Sequence, residues 1–465
     1  MYDIIVIGSG LSALSFFDAL ELKNRKVAVI SYHNNENKNY DYPRKLNILK
    51  KYLPPRFSLD DENINDVKKY FLKNNIIFDK DVSIFGYLND GGVSNYWGCS
   101  CQFPNVDEIN FLKNDKKKKL VEAFHKIYKK YNFSGNFNLK DKNQINNSKK
   151  IDNSFLEIIK NNINDDVNFY ENCVAVDNIN NLKFIPKNYK KTIYDKATHL
   201  NYFVKKISKE KDFFILNCTN NDKEMLVKTK KLVLATGTIV TTKLVSDMLN
   251  YNETIKIAHN PMLLGFFITK SNLKDDNFSP SLLAADVKSS TEEINSLANF
   301  RGSNNLIKQK ILNNYFFMKN PFSKKIYDHF EKKLLFVNLY LDSKFGNLEF
   351  DRKGNNSLIS SNKINNIKIK EKLFDSFNKI YKNLRVQNFI LPFKFGIFPP
   401  IGNDSHYTGT IPIKGSNNIL SLNENSELIN YQGLYIVDGS AIPKNNLKFP
   451  TGLIMANAYR VGELI

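Results

Sequence analysis

The chain has 465 residues, 42% hydrophobic and 13% aromatic, which excludes a disordered polymer and is enough for two or three domains. No run approaches the roughly 18 consecutive apolar residues of a membrane-spanning helix, and Met1-Tyr2-Asp3 leads into an apolar strand with no basic leader. The formal charge of +20 is spread evenly rather than gathered on an arginine-rich face, so no nucleic-acid partner is expected, while an anionic small molecule or an acidic membrane surface stays open.

Cys99, Cys101, Cys173 and Cys218 are too few for a disulfide framework and lack zinc spacing with histidine. They point to a reducing, cytoplasmic setting without a metal site.

In chain order, the spacing predicts a strand over Asp3–Ile7, a glycine turn, a helix from Ser12 to Lys23 and a strand over Lys26–Ser31, a βαβ opening. Mixed signals follow up to Ser83–Tyr87 and a glycine loop at Gly91. The lysine- and asparagine-rich stretch 111–197, with helical periodicity over Leu120–Tyr131 and Phe155–Ile163, reads as a helical excursion or cap. Short strands are expected at Leu200–Ile207, Asp212–Thr219, Glu224–Lys228 and Lys231–Thr236, the last apolar enough to be central. Residues 261–404 carry strands such as Leu334–Leu341 and Leu348–Asp351 and an amphipathic helix near Ile369–Leu384, the pattern of an antiparallel sheet with flanking helices. Parallel character returns at Gly433–Gly439, before a final helix from Thr451 to Leu464. The expected architecture is α/β. A discontinuous Rossmann-like domain (1–110, 198–260 and 405–465) joins an α+β substrate domain (261–404), with 111–197 as the excursion.

Gly8-Ser9-Gly10-Leu11-Ser12-Ala13 follows a strand and opens a helix. There the first glycine permits the tight turn, the second lets backbone approach a pyrophosphate, and the helix N-terminus offers N–H groups to negative charge. An acidic ribose ligand is expected at the end of the second strand, where this chain has Ser31, with Asn34 or Glu36 as alternatives from the next loop. Gly91-Gly92-Val93-Ser94-Asn95-Tyr96-Trp97-Gly98 suits a flat aromatic ring lying on backbone, or a packed loop around Trp97. Cys99-Ser100-Cys101 reads as packing or as a redox pair. The strands ending at Ala235-Thr236-Gly237 and at Asp438-Gly439 finish where ligands bind parallel sheets, although Asp438 also suits a turn cap. His406, in Asn403-Asp404-Ser405-His406-Tyr407, is a candidate base for an alcohol proton.

In this order the pieces resemble the glucose-methanol-choline family of FAD oxidoreductases, and the Gly91 loop is most similar to its pyranose-oxidase and bacterial branches. The C-terminal run Gly433–Pro443 with Phe449-Pro450-Thr451-Gly452-Leu453-Ile454-Met455-Ala456 is the most specific part. The resemblance implies FAD held by Gly8, Gly10, Leu11, Ser12, Ser31, Gly91, Gly92, Ser94, Asn95, Trp97, Gly98, Val204, Ala235, Gly237, Asp438, Gly439, Pro450 and Thr451. Tyr96 stands where some relatives attach flavin through histidine, which implies a noncovalent cofactor. His406 maps onto the family's catalytic base. Its usual Asn or His partner is replaced by Phe449, so either Asn445 or Asn446 reaches in, or His406 works alone, or the chemistry is a different one.

The activity implied is oxidation of an alcohol, a sugar hydroxyl among the candidates, by hydride transfer to flavin. The electrons leave to oxygen, a quinone or a carrier protein. The alternatives are a lyase or isomerase on the same FAD scaffold and a binding protein that has lost the cofactor.

Overall fold

The computed structural model describes residues 1–33, 69–79, 81–104, 106, 109–135, 153–162, 165–177, 179–180, 182–220, 223–273, 283–288, 294–303, 320–361, 366–416, 419–443 and 448–465. Asn34, Glu36, Asn445 and Asn446, named above as candidates, lie outside them.

Ile4, Ile5, Val6 and Ile7 are buried on both faces, as a central parallel strand must be. The strand Tyr2–Ile7 pairs in parallel with Val27–Ile30 on one side and with the end of Lys223–Leu234 on the other, Ile7 facing Ile30 and Leu234. Thr198–Leu200 continues the sheet beyond Val27–Ile30, and Leu434–Ile436 closes it beside Leu232–Leu234, both in parallel. Five parallel strands from distant parts of the chain thus build one sheet, and their C-terminal ends open on a single side.

The two strands expected at Glu224–Lys228 and Lys231–Thr236 are one strand of 12 residues, Lys223–Leu234. Its first half pairs antiparallel with Phe213–Asn220, which pairs in turn with Phe203–Glu210, before its second half joins the parallel sheet. The change of partner takes place without a break, so the polar residues between the halves mark no turn. The strand expected at Leu200–Ile207 is instead divided: Thr198–Leu200 belongs to the parallel sheet and Phe203–Glu210 to the antiparallel meander.

A second sheet is antiparallel throughout, in the order Ile390–Ile397, Met262–Thr269, Leu334–Leu341, Ile294–Arg301, Leu283–Lys288 and Val167–Glu171. The helix Asn366–Val386 covers one of its faces, packing Leu373, Phe377, Ile380 and Leu384 against Leu263, Phe267, Leu335 and Val337. The stretch 111–197 therefore contains more than helices, because it supplies this sheet's edge strand. Its helix Asn114–Lys130 lies against the final helix, Pro450–Leu464. A smaller sheet of Ile255–His259, Gly346–Lys353, Asn356–Ser361 and Ile76–Phe78 carries His259 at the end of its first strand.

The fold is a Rossmann-like α/β unit joined to an α+β unit with an antiparallel sheet. Among the described residues no helix is long and apolar enough to cross a membrane.

Candidate active site between the two sheets

A cavity of about 1210 Å³ runs from the strand ends of the parallel sheet to the uncovered face of the antiparallel one. That exceeds the roughly 300–1,000 Å³ of an ordinary small-ligand pocket, so there is room for a dinucleotide and a second molecule.

The glycine turn forms the first wall. Gly8 has φ +103, and a Cβ there would lie 2.3 Å from the Ala235 carbonyl oxygen, so only glycine lets the turn pass this close to the neighbouring strand. The loop at Gly91 docks onto the turn: the Leu11 N–H donates to Ser94 Oγ at 3.0 Å and the Gly91 N–H to Ser9 Oγ at 2.8 Å. Gly98 and Gly237, both on the wall, have open space where a Cβ would stand, which leaves backbone bare toward the cavity. Two helix N-termini, at Leu11 and at Thr451, face the same space, and neither has a side-chain cap from its own N-cap residue.

The residues expected to hold the cofactor line this cavity, with two exceptions. Asn95 turns away from the cavity: Nδ2 donates to the Asp90 carbonyl of its own loop at 2.8 Å and Oδ1 accepts from the Lys187 N–H of a distant segment at 3.2 Å. Pro450 is buried as the first residue of the final helix. Ser31 is on the wall with its Oγ 2.8 Å from His199 Nε2. Asp438 lines the cavity and is also a cap. Its carboxylate accepts from the Gly237 N–H at 2.9 Å, the Ser440 N–H at 3.0 Å and the Thr241 hydroxyl, tying the ends of two parallel strands together. Burial pushes this carboxyl above its ordinary pKa, against the pull of those hydrogen bonds.

His406 is half-buried at the junction of the two units. Its ring lies 4.6 Å from that of Phe449 and 5.3 Å from that of Tyr340, and Phe449 in turn stands edge-on to Tyr340 at 4.9 Å. Behind it is a group that sequence reading missed. Asp404, buried, accepts the His406 N–H at 3.1 Å and the Asn260 N–H at 2.9 Å through Oδ2, while Oδ1 lies 2.9 Å from His259 Nδ1. Burial alone would raise the Asp404 carboxyl, but His259, nearby His406 and the Asn260 N–H hold it at about 2. Proximity to His406 in sequence was the one available signal for Asp404, and His259 had none.

Phe449 is held in place by a buried polar cluster. Lys448 Nζ sits 2.7 and 2.9 Å from the two Asp286 carboxylate oxygens and donates to Tyr170 Oη at 2.9 Å, and Tyr170 Oη donates to Asp286 at 2.8 Å. The cluster joins the antiparallel sheet to the start of the final helix. Of the two readings of Cys99 and Cys101, packing or a redox pair, their burial agrees with packing. Cys101 Sγ lies 3.4 Å from Cys173 Sγ, the four thiols are free and buried, and burial pushes Cys99 up to about 12.

No family model matches the chain, and no curated protein matches its sequence. Among solved structures, the crystal structure of pyridoxine 4-oxidase from Mesorbium loti superposes with a TM-score of 0.60 at 10% identity, covering 100% of this chain and 99% of that one. The likeness shows that the chain shares the fold of that oxidase over its full length. Within that fold, the bare backbone at Gly98 and Gly237, the paired helix N-termini and the long cavity fit an anionic dinucleotide that carries a flat ring system.

Proposed function

We propose that the protein is an FAD-dependent oxidoreductase that converts an alcohol to a carbonyl, with His406 as the base. The observation that carries this reading is one shared cavity: His406 lines it together with the glycine turn, the Gly91 loop and the N-terminus of the final helix. The pyrophosphate falls to the turn at Gly8–Ser12, the ring system to the Gly91–Gly98 backbone and Thr451, and the ribose to Ser31 in place of the usual carboxylate. The Val204 backbone falls to the adenine.

His406 takes the hydroxyl proton as the carbinol hydrogen departs with its electron pair. FAD, when bound, supplies the hydride acceptor at its flavin N5. Asp404 fixes the His406 backbone, and Phe449 and Tyr340, in contact with each other, pack against the imidazole. With FAD bound, the free N–H groups at the start of the final helix would offer partial positive charge to a ring system that gains electrons. Tyr96, whose hydroxyl donates to that of Tyr87 at 2.9 Å, stands where a histidine link would be needed, which supports a noncovalent cofactor.

Phe449 also favours a second reading, a lyase or isomerase on the same scaffold, because it removes the hydrogen-bonding partner the family places beside its base. A visible spectrum of the purified protein, repeated on the supernatant after heating, tests the cofactor. Flavin bands released as FAD are expected, and a colourless protein that cannot be reconstituted overturns the reading. Anaerobic bleaching by an alcohol separates the oxidoreductase from the lyase or isomerase.

A further inference from the structure

We infer that the half of the cavity over the antiparallel sheet takes an alcohol with an elongated apolar body rather than a sugar, an inference that rests on the alcohol-oxidising reading above. Strand alternation divides Met262–Thr269 between two environments. Leu263 and Phe267 pack on the helix Asn366–Val386, while Leu264, Phe266 and Ile268 face the cavity. The neighbouring strands place their own alternate residues in register. Phe336 and Phe395 flank Phe266, and Leu334 lies opposite Ile268. The Phe266 and Phe395 rings are 5.3 Å apart.

The floor is graded from one end to the other. Tyr340, which touches His406, marks the reacting end. One row further, Asn338 and Asn299 stand opposite each other across two strands, and both line the cavity. Asn299 is 6% exposed and its buried Oδ1 has no hydrogen-bond partner among the described residues, so this row is short of a donor that a ligand can bring. Beyond that row the floor is aromatic and aliphatic except for Arg301, which stands opposite Phe336 in the row of Phe266. From Tyr340 to Leu334 the strand advances six residues, about 20 Å at roughly 3.3 Å each.

A sugar carries hydroxyls around its whole ring, and on the outer rows they would be desolvated against phenyl and butyl groups. An alcohol with a polar head and a long apolar body meets polar groups near His406 and apolar ones beyond. The continuity of this floor with the His406 end marks it as substrate surface. Phe395, 47% exposed, and Phe393, 45% exposed, are the surface such a body would cover.

The test uses the flavin-loaded protein with decan-1-ol and with D-glucose, following anaerobic flavin bleaching and, separately, the thermal midpoint. Decan-1-ol is expected to raise the midpoint by several degrees and to bleach with a kcat/KM at least 100-fold above that for D-glucose. Phe395→Asn, at a half-exposed position that tolerates polarity, is expected to raise the decan-1-ol KM at least tenfold, and Phe266→Asn to do the same. Bleaching and stabilisation by D-glucose but not by decan-1-ol overturn the inference, as does an unchanged decan-1-ol KM in Phe395→Asn. Stabilisation by decan-1-ol that is lost in Phe395→Asn, with no bleaching by any alcohol, supports the apolar floor and instead overturns the alcohol-oxidising reading.

Discussion

His259 Nδ1 lies 2.9 Å from Asp404 Oδ1, and the other oxygen of the same carboxylate accepts the backbone N–H of His406. One buried acid therefore links the end of the strand Ile255–His259 to the candidate base. Its pKa lies at about 2, below the usual 3.8, despite a burial effect of the opposite sign. A carboxyl depressed in the folded state contributes stability that is complete above its unfolded value and disappears as pH falls through the folded one. Asp404→Asn is expected to cost about 1–3 kcal/mol near neutrality. The gap between the unfolding midpoints of wild type and variant is expected to narrow as pH falls from about 4 to about 2. Parallel acid titrations of the two proteins measure it, and a gap independent of pH rejects the assignment.

His406→Ala is expected to leave flavin binding and the visible spectrum in place and to lower kcat by about 10²–10⁴. The ring packs on Phe449 and Tyr340, so the loss opens a small space beside two aromatic rings. Turnover at the wild-type rate rules out His406 as the base. Loss of flavin together with activity assigns the residue to cofactor binding instead.

How much of this is legible in the sequence depends on the range of the interaction. The glycine turn and the strand Tyr2–Ile7 are readable because the signal and its cause lie within a dozen residues. The antiparallel sheet is readable as a class but not strand by strand. Met262-Leu263-Leu264-Gly265-Phe266-Phe267 is apolar on both faces, one toward a helix and one toward the cavity, so no alternation marks it. His259 is invisible because its partner is 145 residues away. Asn95 illustrates the opposite error, since its neighbours Ser94 and Tyr96 line the cavity while its own amide is spent on Asp90 and Lys187. Contiguity with a motif does not decide which way a side chain points.

Gly8→Ala tests the turn. A methyl group 2.3 Å from a backbone oxygen, at φ +103, meets both a clash and an unfavourable conformation. A loss of about 1–3 kcal/mol or more is expected, since the obstacle is main chain and not a mobile side chain. Because the displaced strand carries Ala235 on the cavity wall, weaker FAD retention on gel filtration is expected alongside a lower thermal midpoint. A variant with normal flavin content contradicts the placement of the turn against the cofactor.

The Lys448–Asp286 pair gives the last prediction. Both partners are buried, and each would be left as an uncompensated charge if the other were removed. Lys448→Met is therefore expected to destabilise the protein by about 3–5 kcal/mol. Removing both charges in Lys448→Met with Asp286→Leu is expected to recover most of that loss, because apolar replacements of similar volume restore packing without a desolvated ion. Lys448 immediately precedes Phe449, the ring beside His406, so the pair also positions the start of the final helix. The double variant is accordingly expected to regain its denaturation midpoint while retaining a reduced kcat, as Phe449 is no longer tethered to the antiparallel sheet. Urea unfolding and steady-state turnover of the two variants decide this, and full recovery of kcat together with stability would confine the pair to a structural role.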